Sequence, residues 1–492
     1  MTPQIATLIF VAGIIGLFLL DRGWEGGTSW ALCLPLIWLW VTSSRSLAEW
    51  LTILQYGHPL VADQASMYAE GTPLDRNVLI GLMVLAIIVL IKRGSFWELL
   101  RANRLILLFL LYGAASAFWS DFPDITIRRL FKAIGCVLMM MVVLSERDRE
   151  SAMRRLFVWT GFLLIPHSVL LIKYYPAIGR SYNRWTWLVS YVGVTTHKNS
   201  LGGICQIYGI AFLWHFLAAY RNRKDPHRTR HLVAHGTALA MVGWLFVQAN
   251  SVTAQSSFML AGAFLLATLT RAAVQKRWLV HFLVFALMAI PFATLFLGIG
   301  SSALEGMGRD SSLTGRTDIW PRVIALVHNP VVGTGFESFW LGSRLEAMQR
   351  YQLGLNESHN GFLEIWASLG WIGELFLVAL IVGGYRHIIA CYRRDPDAGR
   401  FRLAYFLSVI VASFTEAAFR TESISWIAFL LITMSAPSEG LQKSLPDHRV
   451  TEGALEPEPL ATLAGGSGLR NPAAVMAPTS NQQPRRLGEK RY

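Results

Sequence analysis

The chain has 492 residues, a mean hydropathy of +0.41 and only 15% charged residues, against about 25% in an ordinary soluble domain. This composition excludes an ordinary soluble domain and indicates a chain that folds in a lipid bilayer. The formal net charge of +13 does not indicate nucleic-acid binding, because Lys and Arg cluster in short links and in the C-terminal tail.

Repeated apolar runs predict an all-α polytopic membrane protein, since about 20 apolar residues cross a hydrocarbon core about 30 Å thick. Hydropathy predicts about thirteen transmembrane helices, or about twelve if one short segment is re-entrant. The predicted spans are 3–20, 27–43, 77–92, 104–118, 128–145, 156–173, 200–220, 232–248, 257–270, 278–299, 361–383, 403–416 and 424–436. The first run has no Lys or Arg ahead of it, so it is predicted to be a span and not a cleaved signal peptide.

The links between the spans fall into two sets by charge. The links at 92–104, 147–155, 221–230, 271–277 and 386–402 are rich in Lys and Arg, and the positive-inside rule predicts that they are cytoplasmic. The links predicted to face outward are 44–76, 119–127, 174–199, 249–256, 300–360 and 417–423. Residues 1–436 are therefore predicted to form one transmembrane domain that includes a large outer loop at 300–360. The composition of 437–492 predicts a disordered cytoplasmic tail.

The large outer loop contains an arginine suited to a phosphate ligand. Arg316 lies in the sequence Gly315-Arg316-Thr317-Asp318-Ile319-Trp320. It precedes an amphipathic helix predicted over 318–328, with Pro321 in its first turn, that could lie on the bilayer. The forked, always charged guanidinium matches a diphosphate well. The alternative is that Arg316 pairs with Asp318 or with lipid headgroups.

His359 ends the same loop, in the sequence Asn356-Glu357-Ser358-His359-Asn360. With a pKa near the usual value of about 6.5, it could take a proton from a hydroxyl group at neutral pH. Either Glu357 or Glu374 could orient it. The alternative is an interfacial histidine with no catalytic role. Glu416 and Arg420, four residues apart near the end of a later span, are interpreted as a structural ion pair.

The outward link at 174–199 has more cations than the positive-inside rule predicts, namely Arg180, Arg184 and Lys198. An anionic ligand is one explanation, and snorkelling of the long side chains to the membrane interface is the other. His197-Lys198-Asn199 directly precedes the span at 200–220, where the N–H groups of a helix N-terminus attract phosphate.

Taken together, the motifs resemble those of the bacterial O-antigen ligase and polymerase superfamily, in particular its exopolysaccharide polymerase branch. The matching elements are Ser44-Arg45-Ser46-Leu47-Ala48-Glu49-Trp50-Leu51, Trp119-Ser120 with Pro123 and Thr126, His197-Lys198-Asn199-Ser200-Leu201-Gly202, Gly315 to Trp320, Pro330 with Gly333 and Gly335, and His359-Asn360 followed by Gly370 and Gly373. The resemblance covers most of the chain up to about residue 436. One element departs from it, because Val252 stands where the family often has Arg, and Arg180 or Arg184 could take over that charge.

The resemblance implies a glycosyltransferase of GT-C type in the bacterial inner membrane, active on the periplasmic face. The implied donor is a glycan on undecaprenyl diphosphate and the implied acceptor is a sugar hydroxyl, with no cofactor and no metal. The residues implied at the site are His359, Arg316 and Glu357 for catalysis, and Arg180, Arg184, His197, Lys198, Asn199 and Asn360 for the diphosphate and glycan. Membrane lipid, a chain-length regulator and other polysaccharide-assembly proteins are the expected partners.

Three functions remain open. The first is a polymerase that joins lipid-linked repeat units into exopolysaccharide. The second is a ligase that moves a finished glycan onto lipid A core or protein, which shares the same motifs. The third is a flippase or other transporter of lipid-linked sugars, which would be expected to carry charges along a central path, whereas the polar residues here gather in the outer links.

Overall fold

A computed structural model of the protein describes residues 1–22, 29–59, 72–182, 188–269, 276–297, 316–352 and 354–436. Most of this part is helical and only two short strands occur in it, which confirms the predicted all-α polytopic fold. Arg184 and the tail at 437–492 lie outside the described residues. The backbone of Arg316 is described but its side chain is not.

The helices and the two strands follow one another in chain order. The helices are α1 (Pro3–Leu20), α2 (Cys33–Ser43), α3 (Leu47–Tyr56), α4 (Pro73–Lys92), α5 (Phe96–Ala102), α6 (Arg104–Ala115), α7 (Pro123–Leu144), α8 (Arg149–Tyr174), α9 (Pro176–Gly179), α10 (Lys198–Arg221), α11 (Arg228–Ala249), α12 (Val252–Thr268), α13 (Arg277–Phe296), α14 (Arg316–Ala325), α15 (Gly342–Tyr351), α16 (Gly361–Arg394), α17 (Pro396–Ser413) and α18 (Ile424–Thr433). Strands β1 (Arg180–Tyr182) and β2 (Val189–Tyr191) form an antiparallel hairpin with Arg180 opposite Tyr191.

Every predicted span corresponds to a helix. Within the described residues, six helices are long and apolar enough to cross a membrane by themselves, namely α1, α4, α8, α10, α11 and α16. Two bent pairs, α2 with α3 and α5 with α6, raise this number to eight if each pair is one span. The apolar helices in α12, α13 and α18 are shorter. The chain is therefore a multi-pass membrane protein.

Side-chain and backbone contacts join links that the charge pattern assigns to the same side. On the predicted outer side, Nη1 of Arg344 lies 2.5 Å from Oδ2 of Asp121, and the backbone N–H of Arg45 donates to the carbonyl of Val194 at 3.1 Å. On the other side, Nη2 of Arg402 donates to Glu150 at 2.6 Å. The links thus gather into two polar layers at the two ends of the helices.

Helix α16 breaks at Gly370, and the outer loop fills the break. Gly370 has φ +65° and ψ −165° inside the helix, so the regular backbone hydrogen bonds are interrupted there. The segment 330–335 replaces them. Gly335 donates its N–H to the carbonyl of Ser368 at 2.8 Å, and the N–H of Trp371 donates to the carbonyl of Pro330 at 2.9 Å. A Cβ on Gly370 would lie 2.2 Å from the carbonyl oxygen of Val331.

Helix α14 differs from the prediction in its bounds and in what it covers. It begins at Arg316 and ends at Ala325, so Pro321 lies in its interior and not in its first turn. The prediction that its apolar face could lie on the bilayer is wrong for the buried residues of that face. Ile319, Val323 and Val327 pack into a small core within the outer loop and against α16, with Phe339, Trp340, Met348, Leu355 and Ala367.

Candidate active site

His359 lies immediately before α16, where the outer loop meets the helix bundle. Asn360 is the N-cap of α16. Its side-chain oxygen accepts the N–H groups of Phe362 at 3.0 Å and Leu363 at 3.1 Å, which satisfies donors that the helix itself leaves free. The substrate-binding role predicted for Asn360 remains a prediction, but the structure gives the residue a definite task in fixing the position of His359.

The backbone around His359 is strained and firmly held. His359 has φ +52°, in the left-handed region, which costs a non-glycine residue about 1–2 kcal/mol. Two contacts on the preceding residue hold it there. The N–H of Ser358 donates to Oε1 of Glu364 at 2.6 Å, and the carbonyl of Ser358 accepts from Nε1 of Trp320 at 3.1 Å. Trp340 donates to the same carboxylate at 2.9 Å. Strain retained in this way is common at functional sites.

Two carboxylates flank the His359 imidazole. Nδ1 of His359 lies 2.9 Å from Oε1 of Glu357 and 3.7 Å from Oε2 of Glu416. All three side chains are only partly exposed, at 19%, 25% and 20%. The nearer contact is an ion pair and not an aligned hydrogen bond. Glu357 is thus the nearer of the two carboxylates to Nδ1 of His359, and its role in orienting the imidazole stays a prediction.

Glu374, the other carboxylate predicted to orient His359, lies in α16 beyond the break at Gly370. Within the described residues, the carboxylates that lie against Nδ1 of His359 are Glu357 and Glu416. An orienting role for Glu374 therefore stays a prediction that no contact supports.

The protonation state predicted for His359 is also wrong. Burial alone would lower its pKa, but the contacts with Glu357 and Glu416 outweigh burial and raise the pKa to about 9. The imidazole is therefore mostly cationic at neutral pH when the site is empty. The raised pKa could not be predicted from the sequence, because the second carboxylate comes from a part of the chain 57 residues further on.

Glu416 and Arg420 belong to the His359 site, which corrects their interpretation as a helical i, i+4 pair. Helix α17 ends at Ser413, so helical spacing does not apply to them. Nη1 of Arg420 lies 3.8 Å from Oε2 of Glu357 and donates to the carbonyl of Asn356 at 3.3 Å. Burial lowers the pKa of Arg420 to about 10, which leaves the guanidinium charged at neutral pH.

Asn199 joins the same cluster from α10, since its Nδ2 lies 3.5 Å from Oε2 of Glu416. His197 and Lys198, the two residues before it, are exposed at the N-terminus of this helix. One part of the predicted phosphate-binding link therefore does meet the His359 site. Thr253 follows Val252, the residue at which this sequence differs from the family pattern. The hydroxyl of Thr253 lies 2.7 Å from that of Thr415, the residue before Glu416.

Arg180 makes different contacts from those predicted. Its Nε donates to the carbonyl of Ile172 at 3.1 Å, and its guanidinium lies 5.6 Å from the centre of the Tyr191 ring. Ile172 lies in α8 and Tyr191 in strand β2, and within the described residues none of the polar contacts of Arg180 involves His359. Diphosphate binding by Arg180 stays a prediction. The alternative is that Arg180 has a structural role, through its contacts with Ile172 and Tyr191.

Arg316 lies in the helix that contacts the residue before His359. Arg316 begins α14, and Trp320 in the same helix donates to the carbonyl of Ser358, the residue before His359. Four residues of α-helix span about 6 Å along the axis. Arg316 is thus about one helical turn from a residue that touches the His359 segment.

A pocket lies beside the cluster and extends the site toward α16. It is lined by Glu337, Trp340, Glu364, Ile365, Ser368 and Arg420. Glu337 has φ +50°, and its Oε1 accepts the N–H of Thr421 at 2.6 Å. This pocket has room for about one water molecule, so it is too small for a sugar ring.

The Glu357, His359 and Glu416 side chains could also hold a metal ion. Each offers one ligand atom, and these atoms lie within 4.8 Å of one another. Carboxylates and imidazole are suitable ligands for divalent cations. However, Arg420 already lies against Glu357 and Asn199 against Glu416, so both carboxylates have partners without a metal.

The residues that the sequence analysis missed are mainly Glu416, Arg420, Glu337 and Glu364. Glu416 and Arg420 could have been predicted as site residues, because they are charged and lie at the end of a span on the same predicted outer side as His359. Glu337 and Glu364 carried no comparable signal, because their roles depend on the left-handed backbone and on the contact with Trp340.

Comparison with known proteins agrees with this geometry. Residues 249–378 match the family model described as O-Antigen ligase (Wzy_C), a range that includes α14, α15 and His359. The chain is also 24% identical over 305 residues to the exopolysaccharide production protein ExoQ of Rhizobium meliloti (strain 1021), covering 59% of this chain and 67% of that protein. The family match, the similarity to ExoQ and the sequence motifs all support a relationship to the O-antigen ligase and polymerase superfamily.

Proposed function

We propose that this protein is a glycosyltransferase that polymerises oligosaccharide repeat units, linked to undecaprenyl diphosphate, into exopolysaccharide. The observation that carries the proposal is the His359 cluster, in which residues from three separate outer links meet at the end of the helix bundle. The O-antigen ligase match and the similarity to an exopolysaccharide production protein support this class of reaction.

In the proposed reaction, a hydroxyl oxygen of the acceptor sugar attacks the anomeric carbon of the donor. A glycosidic bond forms, the bond from the anomeric carbon to the diphosphate oxygen breaks, and the electron pair leaves with the lipid-linked diphosphate. The acceptor proton passes to the neutral imidazole of His359. Glu357 and Glu416 stabilise the imidazolium that results, because both carboxylates lie within 4 Å of Nδ1.

Cationic side chains are proposed to stabilise the leaving diphosphate. Arg316 is the first candidate, since it begins the helix that contacts the His359 segment, and Lys198 is the second, since it is exposed beside Asn199. Arg420, which remains charged at neutral pH, is a further candidate beside the pocket. Positioned guanidinium groups can neutralise a diphosphate without a metal, so the proposed enzyme is metal-independent.

The proposed setting is the bacterial inner membrane with the His359 site on the periplasmic face. The arginine-rich links at the opposite ends of the helices support this orientation through the positive-inside rule. A chain-length regulator and other polysaccharide-assembly proteins are proposed partners. Residues 437–492 are proposed to be a cytoplasmic tail without a part in catalysis.

The test is to reconstitute the purified protein in liposomes with a synthetic repeat unit on undecaprenyl diphosphate. We expect a ladder of products that differ by one repeat unit, formed equally well with an excess of EDTA. Loss of the ladder on chelation while the protein stays folded, with recovery on adding a divalent cation, would refute metal independence and would favour a metal at Glu357, His359 and Glu416.

A ligase is the second candidate, favoured by the description of the matching family. A ligase transfers one preformed glycan to an acceptor and does not lengthen it. If the same liposomes, supplied with lipid A core as acceptor, gave a single transferred product and no ladder, the polymerase proposal would be wrong and the ligase would replace it.

A further inference from the structure

A second cluster of ligand-type side chains lies at the opposite end of the helix bundle from His359. It consists of Asp21, just after α1, with His231 and His235 on α11. His215 of α10 stacks on His235, with ring centres 4.8 Å apart. His215 lies sixteen residues after Asn199 in the same helix, about 24 Å along its axis. This cluster is therefore separate from the proposed active site.

Helical spacing explains why the two histidines converge. His231 and His235 are four residues apart on α11, so their side chains leave the same face of the helix. Asp21 Oδ1 lies 3.1 Å from Nε2 of His235 and 3.8 Å from Nδ1 of His231. The three ligand atoms lie within 4.8 Å of one another. Two imidazoles and a carboxylate thus point toward one small volume.

From this geometry we propose that Asp21, His231 and His235 bind one divalent transition-metal ion of the zinc type. Zinc is commonly bound by imidazole nitrogen and carboxylate oxygen at about 2.0–2.2 Å. Two such ligand atoms in a tetrahedral site are about 3.4 Å apart, and the contacts of 3.1 Å and 3.8 Å bracket this separation. Three protein ligands leave the fourth position for a water molecule.

Burial favours a metal over an ordinary surface histidine pair. The side chains of His231 and His235 are 1% and 0% exposed, and that of Asp21 is 12% exposed. A carboxylate with so little exposure needs compensation for its charge, and a divalent ion held by both imidazoles would supply it. An Asp–His ion pair would also supply it, so the experiment is designed to separate the two.

The proposed ion would clamp α1 to the bundle. Only 11% of the apolar window of α1 is buried inside the protein, so most of the surface of this helix faces away from the bundle. Phe18 packs edge-on against Phe162 of α8 at 5.7 Å, and Asp21 follows one turn later. A metal bridge from Asp21 to α11 would fix the end of α1 that lies beside α11.

The test is metal analysis of the full-length protein, purified in detergent with a tag that contains no histidine and equilibrated with zinc. We expect about one zinc ion per chain in the wild type, and less than a tenth of that in Asp21→Asn and His235→Gln. His227→Gln is the matched control, because His227 precedes α11 and its ring lies 6.4 Å from that of His231. It should retain the metal. Zinc retained by all three variants would mean adventitious binding and overturn the proposal.

Two further measurements keep the test sharp if a variant fails to fold. X-ray absorption of the wild-type protein should show nitrogen and oxygen ligands only, with two imidazoles; sulfur ligands would place the zinc on cysteine and overturn the proposal. A strong chelator should lower the Tm of the wild type by a few degrees, because loss of a ligand bound to the folded state destabilises it. An unchanged Tm together with no bound metal would show that Asp21 and the histidines form only an ion pair.

Discussion

The raised pKa of His359 predicts how the transferase reaction depends on pH. If the neutral imidazole accepts the acceptor proton, the rate follows the fraction of His359 that is neutral. With a pKa of about 9 in the free enzyme, about 1% of the imidazole is neutral at pH 7, about 9% at pH 8 and half at pH 9. Because His359 acts as a base in this proposal, the rate should increase with pH until the pH passes the pKa of His359.

The assay is the initial rate of donor consumption in liposomes at a donor concentration well below KM, so that kcat/KM reports the free enzyme. We expect about a tenfold increase from pH 7 to pH 8 and about a fiftyfold increase from pH 7 to pH 9. Glu416→Gln removes a carboxylate 3.7 Å from Nδ1. Because an opposite charge at that distance shifts a pKa by about 1–3 units, the variant should reach its plateau at least about one unit lower.

Glu346→Gln is the control for this experiment, since Glu346 is exposed on α15 in the same loop and pairs only loosely with Arg350, at 3.8 Å. Its pH profile should match that of the wild type. A wild-type rate that falls as the pH rises toward 9 would show that the imidazolium is the active form and would refute the base role. A rate that does not change with pH would show that proton transfer to His359 is not rate-limiting.

Three other predictions concern the frame around the site. Gly370→Ala should lower the Tm and the yield of folded protein, because left-handed backbone costs alanine about 1–2 kcal/mol and the new Cβ would clash with Val331. The control Gly243→Ala should leave both unchanged, because no atom lies within 4 Å of its Cβ. Asn360→Ala should lose activity, because it removes an N-cap worth about 1 kcal/mol and so displaces His359. Asn360→Asp should keep its activity, because aspartate can also cap the helix. An equal loss of activity in both variants would favour direct contact between Asn360 and the substrate. Glu364→Leu should inactivate the enzyme while the protein still inserts, because it leaves the buried N–H of Ser358 unpaired; full activity would show that this contact does not position His359.

The sequence predicted the helices and the grouping of the links well, because both depend on local properties. A run of about 20 apolar residues must be helical in lipid, and Lys and Arg counts separate the two sets of links. Glu357 was also predictable beside His359, since only Ser358 separates the two residues.

The parts of the site that were wrongly predicted depend on tertiary structure. Glu416 reaches His359 only because α17 ends at Ser413 and the chain turns back, which hydropathy does not show. The raised pKa of His359 follows from that same approach. The break at Gly370 depends on hydrogen bonds with the segment 330–335, so a GxxG pattern alone did not reveal it.

The most direct test of the proposed chemistry is a comparison of His359→Asn with Glu346→Gln in liposomes that contain the lipid-linked repeat unit. Asparagine tolerates the left-handed backbone that His359 adopts, so the variant loses the imidazole while the loop can keep its conformation. We predict that Glu346→Gln gives the full product ladder and that His359→Asn gives none, although both proteins insert and elute as folded species. A normal ladder from His359→Asn would contradict the account.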